Sequence, residues 1–306
     1  MKRRDFLLKS AAAGVVAGAA CTIGGYGRVM GGVPSPAAYD MVAIRGGEAA
    51  AMFDKGISAL GGMSAFVKKG QKVVIKPNIG WDVVPEKAAN TNPALIKRIV
   101  EHALRAGAGE VYVFDNTCDD WVKCYKTSMI EKMARDAGAK VVPGNTENYY
   151  QEISIPGARV LKKAKVHELI LESDVFINVP ILKVHSSAKM TASLKNMMGV
   201  VWDRRFWHTN NLHQCIADYG MSDYKPHLNI IDCYSVMTKN GPRGVSMADV
   251  QTMKAQLIST DMVAADTAAA RLLGLDPERV DHIPIAHQMG VGSMEIDSMN
   301  IHKIAM

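Results

Sequence analysis

The stretch VPILKVHSSAKMTASLKNMMGVVW, residues 179–202, carries Lys183, His185, Lys189 and Lys195 among small and apolar neighbours, and no acidic residue occurs between Asp174 and Asp203. The three lysines are six residues apart, which places them on no common helical stripe, so a solvated basic face explains them poorly. A strand end, a loop and a helix start would instead turn all three toward one point. Lysines in an apolar setting require an anionic partner. Here that partner is either a distant carboxylate such as Asp115 or Asp232, or a bound anion. Lys183 and His185 share a face on extended chain, where the lysine would lower the histidine's pKa and make it a candidate base. Lys189 sits in the polar SSAK turn and is expected at the periphery.

Other polar residues follow apolar runs. Lys76 and Asn78 follow VVI, Asp115 and Asn116 follow VYVF, and Asp232 lies within or just after LNII. In an open parallel sheet the carboxyl ends of the strands line the ligand crevice, so these residues are expected to share a site. The expected catalytic set is His185, Lys183, Lys195 and Asp232. Lys76, Asn78, Asp115 and Asn196 are expected to bind ligand. Gly241, Arg243 and Gly244 of the loop KNGPRG would join them, presenting backbone N–H groups and charge to an anion. Such a set suits a carboxylate or phosphate, and it suits stabilising charge that develops during proton abstraction or acyl or phosphoryl transfer. There is no serine elbow, no G-x-G-x-x-G and no Walker sequence, so hydrolase, dinucleotide and nucleotide readings lack support.

A metal reading competes. WDRRFWHTNNLHQC brings His208, His213 and Cys215 close in sequence, but their spacing matches no standard zinc pattern, and Trp202, Phe206 and Trp207 make an aromatic lid the alternative. The five cysteines contain no C-x-x-C pair, so an iron–sulfur cluster is not supported. Cys118 and Cys124 are either a small disulfide or two free thiols. The nineteen methionines are scattered, which favours core filling over copper ligation.

The positioning elements alternate. KVVIKPNIG reads as a strand broken at Pro77, NPALIKRIVEHALRAGAG as a helix capped by Thr91 or Asn92, and EVYVFDN as a strand. MIEKMARDAGA and KVVPG follow as helix and strand, and residues 144–170 as an irregular antiparallel excursion. SDVFINVPIL, LNIIDCYSV and AQLIST are further strands, and DMVAADTAAARLLG is a helix with small residues on its packing face. The expectation is a single α/β domain over residues 41–306, Rossmann-like, with a mostly parallel twisted sheet and helices on both faces. Ahead of it, residues 1–27, which begin MKRRDFLLKSAAAGVVAGAAC, read as a twin-arginine export signal, and residues 28–40 as a linker. Export would make the protein periplasmic. Cys21 leaves a lipid anchor open as an alternative. The segment holds Lys2, Arg3, Arg4 and Lys9 against Asp5, so its removal reduces the net charge from +6 to +3, too little to argue for nucleic acid. No later stretch is apolar enough for a membrane span.

The blocks VVIKPNIG, INVPILKVHSSAKMTASLKNMMGVV, NIIDCYSVMTKNGPRG and STDMVAADTAAARLLG resemble, in order and spacing, those of the domain-of-unknown-function family 362 over roughly residues 70–295. The resemblance implies no agreed reaction. Its characteristic positions fall here on residues that include Lys76, Asn78, Asp115, Lys183, His185, Lys195, Asn196, Gly199, Asp232, Asp261 and Asp266. Many relatives carry ferredoxin-like cysteine runs, which this chain lacks. The expected function is that of an exported enzyme acting on an anionic small molecule by acid–base chemistry. The alternative is a periplasmic cofactor- or metal-binding protein serving a redox partner. If the signal reading is right, replacing Arg3 and Arg4 by lysine strands the precursor in the cytoplasm on fractionation; unchanged export refutes it.

Overall fold

Alternating β-branched runs and amphipathic segments fold as twelve strands and ten helices in a computed structural model that describes residues 39–306. The segment expected to be an export signal and Cys21 lie outside the described residues, as does the expected linker apart from Tyr39 and Asp40. The first six strands are β1 (Met41–Arg45), β2 (Lys72–Pro77), β3 (Glu110–Val113), β4 (Lys140–Val141), β5 (Tyr150–Ser154) and β6 (Lys163–His167). Then come β7 (Val175–Val179), β8 (Ile181–His185), β9 (Lys189–Thr191), β10 (Leu228–Met237), β11 (Val250–Ser259) and β12 (Ile301–Ala305). The helices are α1 (Ala49–Ala59), α2 (Pro93–Arg105), α3 (Trp121–Thr127), α4 (Ile130–Asp136) and α5 (Glu168–Glu172). After them lie α6 (Ser193–Asn196), α7 (Arg204–Thr209), α8 (Leu212–Tyr219), α9 (Met262–Leu272) and α10 (His282–Gln288).

The sheet runs β12-β1-β11-β10-β7-β2-β3-β4. From β10 to β4 every neighbouring pair is parallel. The chain works outward from β2 through β3 to β4, then returns to the other side of β2 for β7 and β10. The order therefore reverses between β2 and β7, and at such a point the loops leave in opposite directions and open a crevice beyond the carboxyl ends of the strands. β11 lies antiparallel between β10 and β1, and β12 is parallel to β1, so the mostly parallel sheet gains a mixed edge. The expected antiparallel excursion is the β5–β6 ribbon, a separate two-stranded sheet.

Both faces are covered. In β2, Val73 and Ile75 join a core with Phe53, Ile96 and Ile99 from α1 and α2. Val74, pointing the other way as the strand period demands, joins a second core with Leu194, Ile216 and Ala264 from α6, α8 and α9. Asn92 caps α2 by accepting from the Ala94 and Leu95 N–H groups, with Pro93 in the first turn. Thr91, the other expected cap, instead donates to the Val179 carbonyl and accepts from Asn78 N–H, tying the ends of β2 and β7 together. Among the described residues no helix is long and apolar enough to cross a membrane.

The acid-free stretch folds as an extended arm and a short hairpin. Pro180 interrupts the strand; β8 then continues beside β10 and turns back through β9. α6 follows directly, and the buried Asp266 of α9 accepts from the Ser193 and Leu194 N–H groups at 2.6 and 3.1 Å, which anchors the start of α6. Lys183 is thus in the middle of β8 rather than at a strand end, Lys189 opens β9 after the turn, and Lys195 lies in α6.

Candidate functional site

Lys76 is the penultimate residue of β2, and Asp115 lies just past β3. Their ion pair is 2.9 Å long, with side chains 1% and 3% exposed. Asp115 Oδ1 takes the charge contact without a well-directed hydrogen bond, while Oδ2 accepts the Ile79 N–H at 2.7 Å. The Lys76 ammonium donates to Asn196 Oδ1 and to the Pro77 carbonyl, each at 2.8 Å. Burial lowers its pKa even though Asp115 pulls the other way. Gly199 covers the pair. A Cβ there would stand 2.0 Å from Asp115 Oδ1 and 2.5 Å from Lys76 Nζ, so no other residue fits.

Amides extend this charge pair sideways. Asn196 Nδ2 donates to Asn178 Oδ1 at 2.8 Å, and Asn178 Nδ2 donates to Asn229 Oδ1 at 2.9 Å. Asn78 Nδ2 reaches Asn196 Oδ1 at 3.0 Å, and Asn78 Oδ1 accepts from Lys183 at 3.1 Å. The chain of amides crosses β10, β7 and β2 and fixes the side-chain positions on the crevice floor. Asn178 and Asn229 are missing from the expected site; each is a lone polar residue inside an apolar strand run, and that was the available signal.

Above this floor is a cavity of about 510 Å³. It is lined by Lys76, Asn78, Asp115, Lys183, His185, Lys195 and Asn196, together with Gly199, Arg204, Arg205, His208 and Cys118. Asp115 is the one acid among its lining residues, and it is already paired with Lys76. Lys183 is 1% exposed and donates to Asn78 Oδ1 and to the Ala89 carbonyl. Burial, with Lys195 and Lys76 adding repulsion, pushes its ammonium down to about 7. Lys195 is partly buried, and no hydrogen bond or ion pair holds its side chain among the described residues. Burial first, and Arg204 and Lys76 among the nearby charges, push it down to about 8. The Arg204 guanidinium is committed to the Asn116 and Thr117 carbonyls at 2.9 and 2.6 Å and touches Cys118 Sγ at 3.4 Å. Nothing in the DRRFW run marked Arg204 out from Arg205 as the one that would be clamped here.

His185 presents no free basic nitrogen on Nδ1. Its Nδ1 accepts from the Ser187 and Ala188 N–H groups at 3.1 and 3.3 Å. Burial, then Lys195 and Lys183, push its pKa down to about 3. The ring is therefore neutral at pH 7 with its proton on Nε2, which makes it a hydrogen-bond donor rather than the expected base.

Other expected members lie elsewhere. Asp232 stands on a separate cavity of about 230 Å³, where its carboxylate accepts from the Asn92 N–H at 2.8 Å and the Tyr234 N–H at 3.1 Å, and burial raises its pKa to about 6. It pairs with none of the lysines. Gly241 is packed against β8, where a Cβ would stand 1.9 Å from the Val184 carbonyl oxygen, and Gly244 adopts a left-handed φ of +76°. The N–H of Gly244 is used by Asn240, and those of Val245 and Ser246 by Asp249, so these donors are not free to cradle an anion. Arg243 is exposed, reaches Asp119 at 3.4 Å and lies over the Trp81 ring; Pro242 is the member of this loop that lines the cavity. Lys189 is peripheral, paired with Asp281 at 3.2 Å.

The metal set does not converge. His208 lines the cavity, His213 stacks on His282, and Cys215 is buried with Sγ 3.3 Å from the Asn210 carbonyl. No group of three or more His, Cys, Asp or Glu side chains among the described residues is arranged to hold a metal ion. Cys118, Cys124, Cys215 and Cys233 are all free thiols, and they do not fit an iron–sulfur cluster.

Residues 73–271 match the domain of unknown function DUF362. The chain belongs to that family. A thylakoid-associated protein of Synechocystis sp. is 24% identical over 245 residues, which cover 77% of this chain and 73% of that protein. Among solved structures, the lactate racemase apoprotein from Thermoanaerobacterium thermosaccharolyticum superposes with a TM-score of 0.51 at 8% identity, over 76% of this chain and 56% of its own. A Thermotoga maritima protein gives a TM-score of 0.48 at 12% identity, over 74% of this chain and 59% of its own. The racemase likeness is one of α/β fold, and this chain spans little more than half of that enzyme's length.

Two outcomes follow from the geometry. Gly199→Ala forces Lys76 and Asp115 apart and is expected to lower stability by roughly 3–5 kcal/mol, the usual cost of breaking a buried pair, read as a shifted denaturant midpoint. For Lys183, the folded pKa of about 7 lies below the ordinary lysine value of 10.5. Its contribution to stability is therefore fully present above pH 10.5 and is lost as pH falls to about 7. Relative to wild type, Lys183→Met should thus gain stability by several kcal/mol between pH 10.5 and 7, with no further gain just below. A difference that stays flat across that range contradicts the depressed pKa.

Proposed function

We propose that this chain is an enzyme that binds an anionic small molecule, bearing a carboxylate or phosphate, and moves a proton on it. The observation that carries this reading is a cavity walled by Lys183, Lys195 and Arg204 whose one acid is already committed to Lys76. An anion would relieve their mutual repulsion, because like charges at this depth are screened little by water. Lys195, free of other bonds, takes the anionic group, and the His185 Nε2–H adds a neutral donor.

Lys183 is the proton-transferring group. In its neutral form two N–H bonds go to Asn78 Oδ1 and the Ala89 carbonyl, which leaves the lone pair for the cavity. With its pKa about 7 it is a base at neutral pH without being wholly neutral beforehand. It takes a proton from the carbon or oxygen next to the anionic group, and the charge left on the substrate is stabilised by the Lys195 ammonium. The fold shared with a protein named lactate racemase supports a small carboxylate as a substrate to try first. Arg3 and Arg4 support export across a membrane, and the thylakoid association of a relative supports a location beside one.

Thermal melts across phosphate, sulfate and dicarboxylates test the binding step. Wild type should gain about 2.7 kcal/mol at a hundredfold excess over Kd, and Lys195→Ala should gain little. Proton transfer is read by deuterium uptake from heavy water into 2-hydroxy acids and dicarboxylates, which Lys183→Met should abolish. No anion response in either protein would return these lysines to a structural role.

A further inference from the structure

A second cavity, of about 590 Å³, adjoins the first across α7, and Arg204 and Arg205 line both. The two arginines differ. Arg204 is clamped by backbone carbonyls, whereas no hydrogen bond or ion pair holds the Arg205 side chain among the described residues. Beyond them the second cavity changes character. Its lysines are neutralised on the spot, Lys163 by Glu152 at 2.7 Å and Lys165 by Glu147. Asp203 is used as the cap of α7, accepting from the Phe206 N–H. What remains is ring surface. Trp202 is partly exposed with a neighbour, Tyr150, at 5.4 Å, and Phe206 is 37% exposed although it is large and apolar. Residues of the β5–β6 ribbon also line this cavity, and β6 is bonded to the ring-bearing segment through the Trp202 N–H and the Lys165 carbonyl, so the excursion from the sheet has a use.

Resting on the proposed anion site, we infer that the ligand is an anion joined to an uncharged, ring-bearing body, the anionic group seated by Lys195 and the body lying against Trp202 and Phe206. A cavity with one sign of charge followed by one with balanced charge and exposed rings is the arrangement a two-part molecule of that kind would fill, with Arg205 at the junction. Burying the flat body removes apolar surface from water on both partners, so affinity rises without further charge.

The test compares inorganic phosphate with 1-naphthyl phosphate by calorimetry on the whole protein. The naphthyl ester should bind at least tenfold more tightly to wild type, and phosphate should displace it. In Trp202→Ala that ratio should fall toward one. Phe206→Ala, a substitution at a more exposed position, should reduce it in the same direction if the tryptophan variant folds poorly. Equal affinity of wild type for the two probes would overturn the second subsite and leave the anion site standing. Failure of both probes to bind would overturn the anion site, and the inference with it.

Discussion

The Lys76–Asp115 pair is the constraint around which the crevice is built. Removing two charges from water costs several kcal/mol per ion, and attraction between them repays it only when their remaining bonding capacity is met. Here Asn196, the Pro77 carbonyl and the Ile79 N–H meet most of it. The pair joins β2 to the segment just past β3, beside the β2–β7 reversal of strand order, the place at which a parallel sheet leaves strand ends uncovered. Gly199 must approach closely to seal it, which sets the path of the chain after α6. Asn196 belongs to α6, and so the residue that satisfies Lys76 also places Lys195.

Against that neutral pair, the cations above it are costly. Several lysines nearer the surface have a carboxylate at hand, as Lys163 has Glu152 and Lys72 has Glu172. Lys183 and Lys195 have none, and burial first, with the neighbouring cations after it, pushes their ammonium groups down to about 7 and 8. Unrelieved charge of one sign in a cavity is what a ligand of opposite sign removes, so the same feature that weakens the empty fold strengthens binding. The neutral state of His185 has the same origin: burial first, then Lys195 and Lys183, disfavour another positive charge, and two backbone donors occupy its Nδ1.

The surrounding loops hold this arrangement still. Gly241 approaches the Val184 carbonyl so closely that the loop before β11 locks the arm carrying Lys183 and His185. Asp266 anchors the start of α6 from the far layer, with a pKa that burial raises to about 7. The close approach of Gly241 is a packing contact in the loop where an anion cradle was expected, and the Gly244, Val245 and Ser246 N–H groups of that loop are taken by Asn240 and Asp249.

Local pattern was enough for much of this. Periods of 2 and 3.6 identify β2, α2, β3, β7 and α9, because the hydrophobic side of each element is written in consecutive residues. The absence of acids between Asp174 and Asp203 likewise marked Lys183 and Lys195, since a charge without a nearby partner is visible in the order of residues itself. Partnership at long range is not. Lys76 meets Asn196 from 120 positions away, and Arg204 meets Asn116 from 88. Asp232 follows an apolar run just as Asp115 does, yet it turns to the Asn92 N–H on another cavity. Which way a strand-end side chain turns depends on the neighbours that strand order brings beside it, and that order is decided by packing the whole sheet between its two helical layers rather than by any one strand.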